Sequence, residues 1–88
     1  MKKNQAFNSF TFPMFSTSTN QMQTGAIVTA VRTIDNGAVA PCTNVVVELS
    51  NGFYAINFTA SDLNGNCISV KFSANGCSDL PITFITQD

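Results

Sequence analysis

Apolar and polar residues alternate with a period of two along several short stretches of the chain. Tyr54, Ile56 and Phe58 fall on one side and Ala55, Asn57 and Thr59 on the other. Ile68, Val70 and Phe72 oppose Ser69, Lys71 and Ser73, and Ile82 with Phe84 opposes Thr83 and Ile85. Val45, Val47 and Leu49 oppose Val46 and Glu48 in the same way, which predicts that these three point into a core. Successive side chains of an extended strand point to opposite faces, so this spacing predicts half-buried strands of an antiparallel sheet backed by a second layer. Four of the five glycines follow an asparagine, at Asn36-Gly37, Asn51-Gly52, Asn64-Gly65 and Asn75-Gly76. Both residue types tolerate the positive φ that a tight hairpin turn needs, and such pairs at this spacing mark short strands folding back on one another. The segment from Ala26 to Ile34 is rich in β-branched residues without clean alternation, which predicts a strand covered on both faces or one where a partner docks. Ser61-Asp62-Leu63 has room for one helical turn, but no window keeps apolar residues at 3, 4 and 7 spacing. The fold class expected is all-β, a small antiparallel β-sandwich.

The first 24 residues differ in texture. Phe7, Phe10, Phe12 and Phe15 lie within nine residues, ahead of a polar run from Ser16 to Gln21. Phe10 and Phe12 share a strand face, and Pro13 lacks the N–H that a central strand requires. The division expected is therefore residues 1–24 as an N-terminal arm or edge strand, and 25–88 as the sandwich. As an extended arm, the segment would dock Phe7, Phe10, Phe12 and Phe15 on a neighbouring subunit. Each Phe fully buried there is worth roughly 1.5–3 kcal/mol.

Composition narrows the function. Charged residues make up 10% of the 88-residue chain and hydrophobic residues 44%. That balance excludes a solvated disordered chain and points to surface meant to be covered. A net charge of -1 offers no basic field to a nucleic-acid backbone. Met1-Lys2-Lys3 is followed by no apolar run of signal-peptide length, and nowhere do 18 apolar residues run together, so neither export nor a membrane partner is expected.

Little in the sequence supports chemistry. There is no histidine, the commonest general base and metal ligand. Cys42, Cys67 and Cys77 form no Cys-x-x-Cys pair. Counting chain reversals places Cys42 and Cys67 at one end of the sandwich and Cys77 at the other. A Cys42–Cys67 bond is therefore conceivable, while three reduced thiols are the expectation. The carboxylates are Asp35, Glu48, Asp62, Asp79 and Asp88. Asp35 and Asp62 sit beside turns, where Asp side chains bond local backbone. Asp62-Leu63-Asn64-Gly65-Asn66 opens like a calcium loop, but no bidentate Glu closes it. Lys71, on the outward side of its strand, is expected to be solvated. No enzyme, metal or cofactor is expected.

The order Met22-Gln23-Thr24-Gly25 through Thr33-Ile34-Asp35-Asn36-Gly37 resembles the first half of small immunoglobulin-like β-sandwich modules of tailed bacteriophages. The resemblance continues through Ser50-Asn51-Gly52, Ala60-Ser61-Asp62 and Ala74-Asn75-Gly76, and covers about residues 11–88. It implies a non-enzymatic virion structural protein, assembled in the host cytoplasm. A head decoration or cement protein comes first, bound to the major capsid protein or other virion proteins and repeated as a homo-oligomer or on a lattice. The alternatives are a neck, tail or fibre component, or a glycan- or cell-surface-binding module. The Phe-rich start and the third cysteine depart from the pattern of those modules.

Overall fold

The structure, a computed structural model, describes residues 1–87; Asp88 lies outside them. Seven strands follow in chain order: β1 Phe7–Pro13, β2 Thr29–Ile34, β3 Ala40–Pro41, β4 Val47–Glu48, β5 Phe53–Phe58, β6 Cys67–Ser73 and β7 Leu80–Ile85. A single 3-10 turn, Ser61–Leu63, joins β5 to β6. One sheet has the order β1-β5-β4 and the other β3-β2-β6-β7, all antiparallel. Three strands face four, and the chain crosses between the sheets from β1 to β2, from β3 to β4 and from β5 to β6, in the manner of immunoglobulin-like sandwiches. The expected β-sandwich is therefore the observed fold.

Alternation placed β5, β6 and β7 correctly. Tyr54, Ile56 and Phe58 are buried, as are Ile68, Val70 and Phe72, while Ile82 and Phe84 pack against them from β7. The predicted strand through Ala26–Ile34 is β2, an internal strand between β3 and β6. Its residues Ala30 to Ile34 are all half-buried, in keeping with the covered alternative.

β1 is an edge strand of the sandwich, not an arm apart from it. Its partner residues are Thr11↔Ala55, Phe12↔Tyr54 and Pro13↔Phe53. Of the two alternatives for residues 1–24, β1 is the edge strand. Phe12 is 2% exposed, its ring 3.8 Å from that of Phe72, and Phe10 meets Phe84 edge-on at 5.2 Å. These contacts close the core between the two layers, which a chain of this size needs in order to bury enough apolar surface.

Two expectations are corrected. Val45, Val47 and Leu49 point outward, because Glu48 pairs with inward-facing Tyr54 and Val47 pairs with Ala55. Val46 packs against the core instead. In a run where both faces are apolar, only the register with the neighbouring strand decides which side turns in. The turns also differ. Only Asn51-Gly52 has both residues left-handed, at φ 56° and 85°. Before Gly37 the left-handed pair is Asp35-Asn36, with the Gly37 N–H bonded to the Ile34 carbonyl at 2.9 Å. Gly65 is required by crowding, since a Cβ there would run into Ile34 Cγ2 and Asp35 Oδ2.

Candidate functional site

The four phenylalanines expected to bind a partner divide between two roles. Phe10 and Phe12 belong to the chain's own core and offer a neighbour little. Phe7 and Phe15, at 40% and 42% exposure, remain at the surface. A bulge causes part of this split. The β1–β5 register shifts between Phe7 and Phe10, with Ser9 left-handed at φ 60° and its N–H donating to Asn57 Oδ1 at 2.7 Å.

From Phe12 onward β1 alternates cleanly, so Thr11 and Pro13 face away from the core, and Phe15 continues that alternation beyond the strand. They meet outward residues of β5 and β4 in two rows. One row is Val47, Ala55 and Thr11, and the other is Leu49, Phe53 and Pro13. Leu49 is joined to Phe53 by its N–H donating to the Phe53 carbonyl at 2.9 Å. Val47, Leu49 and Phe53 are exposed, and Val45 beside them is 82% exposed. Neither row carries a charged side chain. Sequence reasoning missed this surface because it turned Val45, Val47 and Leu49 inward.

The opposite broad face is different in kind. There Ser69 and Thr83 share a hydroxyl hydrogen bond at 3.1 Å, and Lys71 stands between Val31 and Pro81. Lys71 is exposed, as expected from its strand position. That face is mixed, with Val31, Pro81 and the exposed Val39 and Ile85 beside one charge, Lys71, whereas the outward rows of the three-stranded sheet carry no charge. Contiguous exposed apolar surface on a small protein marks a site of contact with another molecule.

The remaining polar chemistry is structural. Asp62, expected to serve its own turn, instead joins three segments. Its carboxylate accepts from Arg32 Nε at 2.9 Å, from the Thr43 hydroxyl at 3.0 Å, and from the Thr43 and Thr59 N–H groups. Burial alone would raise its pKa. The Arg32 guanidinium and the bonds from Thr43 and Thr59 outweigh that and hold the carboxyl below its ordinary 3.8. Burial, reinforced by the Asp62 charge and opposed by Arg32, pushes the Cys42 thiol up to about 11, so it is un-ionised and a poor nucleophile at neutral pH. All three cysteines are free. Asp35 is likewise occupied, its Oδ1 accepting from the Asn66 and Cys67 N–H groups at 2.9 Å each.

No group of three or more His, Cys, Asp or Glu stands close enough to hold a metal among the described residues. No helix among them is long and apolar enough to cross a membrane. An open depression of about 730 Å3 lies at one end of the sandwich, between the Gln23–Thr29 segment and Ser73–Asp79. Asp79 is its sole charged lining residue, so it gathers no set of groups that could act together. No family model, curated protein or solved structure matches this chain.

Proposed function

We propose that this protein is a non-enzymatic structural component of a tailed-bacteriophage particle, foremost a head decoration protein. It holds its neighbours through the outer face of the β1-β5-β4 sheet and not through a detached arm. The observation that carries the reading is that face itself, two outward-facing rows without a charge among them, in which Val47, Leu49 and Phe53 are exposed. The likeness to phage sandwich modules supplies the setting.

Magnitudes fit such a role. Phe15, Val47, Leu49 and Phe53 are each about half exposed, and covering them is worth on the order of 3–6 kcal/mol before the cost of association. That is a weak contact between two free molecules. Repeated on a lattice, where neighbouring contacts act together, it becomes strong.

The test is incorporation into particles assembled in the host. Wild type is expected to co-purify with the particle, and the double variant L49D/F53S is expected to be lost from it while keeping its fold. Full occupancy by L49D/F53S, or absence of the wild-type protein from purified particles, would sink the reading.

A further inference from the structure

A β-sandwich has four edge strands, and each presents unpaired backbone groups that can template another strand. Here the edges are β1 and β4 in one sheet and β3 and β7 in the other. The chain has three prolines, and they fall on three of these edges: Pro13 on β1, Pro41 on β3 and Pro81 on β7. Proline removes a donor and is a standard guard against edge-to-edge pairing. β1 carries a bulge as well. β4 has neither proline nor lysine. Its one charge, Glu48, shares the inward side with Tyr54 and is held there by the Gly25 N–H at 2.8 Å. β4 is short and its Glu48 points inward, which blunts an edge in part, but no proline removes a donor from it and no described strand pairs with its outer side, so it is the most open of the four.

We propose that this open edge pairs with β4 of a second copy of the same chain, joining two three-stranded sheets into one of six strands. The hydrogen-bond parity of β4 fixes how. Leu49 donates to the Phe53 carbonyl and Val47 stands opposite Ala55, so the Leu49 and Val47 positions bond toward β5. The backbone N–H and C=O of Val46 and Glu48 then face away from β5, toward the open side. An antiparallel partner centred on Val47 sets Val46 against the partner's Glu48, and Glu48 against the partner's Val46. Those are the residues with groups to exchange, which gives four main-chain hydrogen bonds. In the same register Val47 meets the partner's Val47 across the two-fold axis, and Val45 meets the partner's Leu49.

Every outward cross-strand pair in this arrangement is apolar, and the two Glu48 side chains do not oppose each other. A strand that matches itself in hydrogen bonding, shape and charge is suited to an isologous contact. A net charge of -1 adds little repulsion. An edge of about five residues covers well under the roughly 800 Å2 per partner of a standard interface, so the pair forms in concentrated solution and dissociates on dilution. The two outer faces become continuous, which doubles the apolar surface. The pairing does not depend on the virion role.

The experiment is sedimentation velocity over a concentration series up to the millimolar range, with amide exchange read in parallel. Wild type is expected to dimerise reversibly, with the Val46 and Glu48 amides slowing as concentration rises. V47K, at an exposed outward position, is expected to weaken the dimer about tenfold or more, because it sets like charges across the axis. V47E is expected to do the same. Mixing V47K with V47E is expected to restore association to the wild-type level or beyond. A chain monomeric throughout, a dimer indifferent to V47K, or no rescue on mixing would each overturn the pairing. A monomer whose V47K and V47E variants both fail to enter particles would assign Val47 to the face contact alone and overturn the self-pairing too. A wild type that stays monomeric throughout yet enters particles normally would sink this inference alone and leave the virion reading standing.

Discussion

At the scale of single residues, the fold is tied most tightly at Asp62. Its side chain is 1% exposed and links β2 through Arg32, the segment after β3 through Thr43, and the end of β5 through Thr59. Removing one partner of a buried pair strands the other without compensation, at about 3–5 kcal/mol. D62A is therefore expected to lose a large part of its stability at neutral pH, since small domains have only about 5–15 kcal/mol in all. Urea titration followed by circular dichroism measures this, and a midpoint within error of wild type would contradict it. The pH dependence has a definite sign. A carboxyl held below its ordinary 3.8 in the folded state stabilises the fold fully above that value, and the stabilisation is lost as pH falls through the lower, folded value. Wild type is expected to lose stability on acidification below about pH 4. D62N should show a shallower loss, because it has no proton to take up at that site.

At the scale of elements, β1 decides whether the N-terminal segment is a tether or a wall. Phe12 and Met14 are core residues, and Phe12 is stacked between Tyr54 and Phe72. F12A is expected to cost about 3–5 kcal/mol, whereas F15S, at a half-exposed site, should change stability by about 0.5 kcal/mol or less. Equal losses in the two variants, read by chemical denaturation, would contradict this division. Deleting residues 1–15 removes β1 entirely, so that truncation reports on folding and not on docking. The sequence made β5, β6 and β7 legible because polar residues separate their apolar ones, and one face is marked by default. β4 was not legible. Val45, Val46 and Val47 are apolar on both sides, so period two cannot choose a face, and the choice came from pairing with β5. The alternation also put Phe10 and Phe12 on one side without saying whether that side met the chain's own core or another molecule. The Arg32–Asp62 pair spans 30 positions, beyond the reach of any local pattern. Asn-Gly pairs marked where the chain turns, but which residues go left-handed depended on the strands they join.

At the scale of the whole molecule, the kind of force at each broad face is open to measurement. Contacts made by charged groups weaken as salt screens them, over roughly 10 Å at 0.1 M ionic strength. The rows through Val47 and Phe53 have no charge to screen, and the molecule as a whole carries only -1. Attachment to a particle through this face is therefore expected to survive sodium chloride that strips electrostatically bound proteins. Sulfate should tighten it, because ions excluded from the protein surface favour apolar burial. Cooling should loosen it, since apolar hydration becomes less unfavourable at low temperature. Calorimetry on the same binding should give a negative heat-capacity change. Co-sedimentation with particles stripped of the protein, across a sodium chloride and a sulfate series, reads both effects directly. Binding that falls steeply with sodium chloride would shift the contact to Lys71 and the outer face of the four-stranded sheet. The exposed valines and Phe53 would then be surface tolerated for the self-pairing of β4 alone.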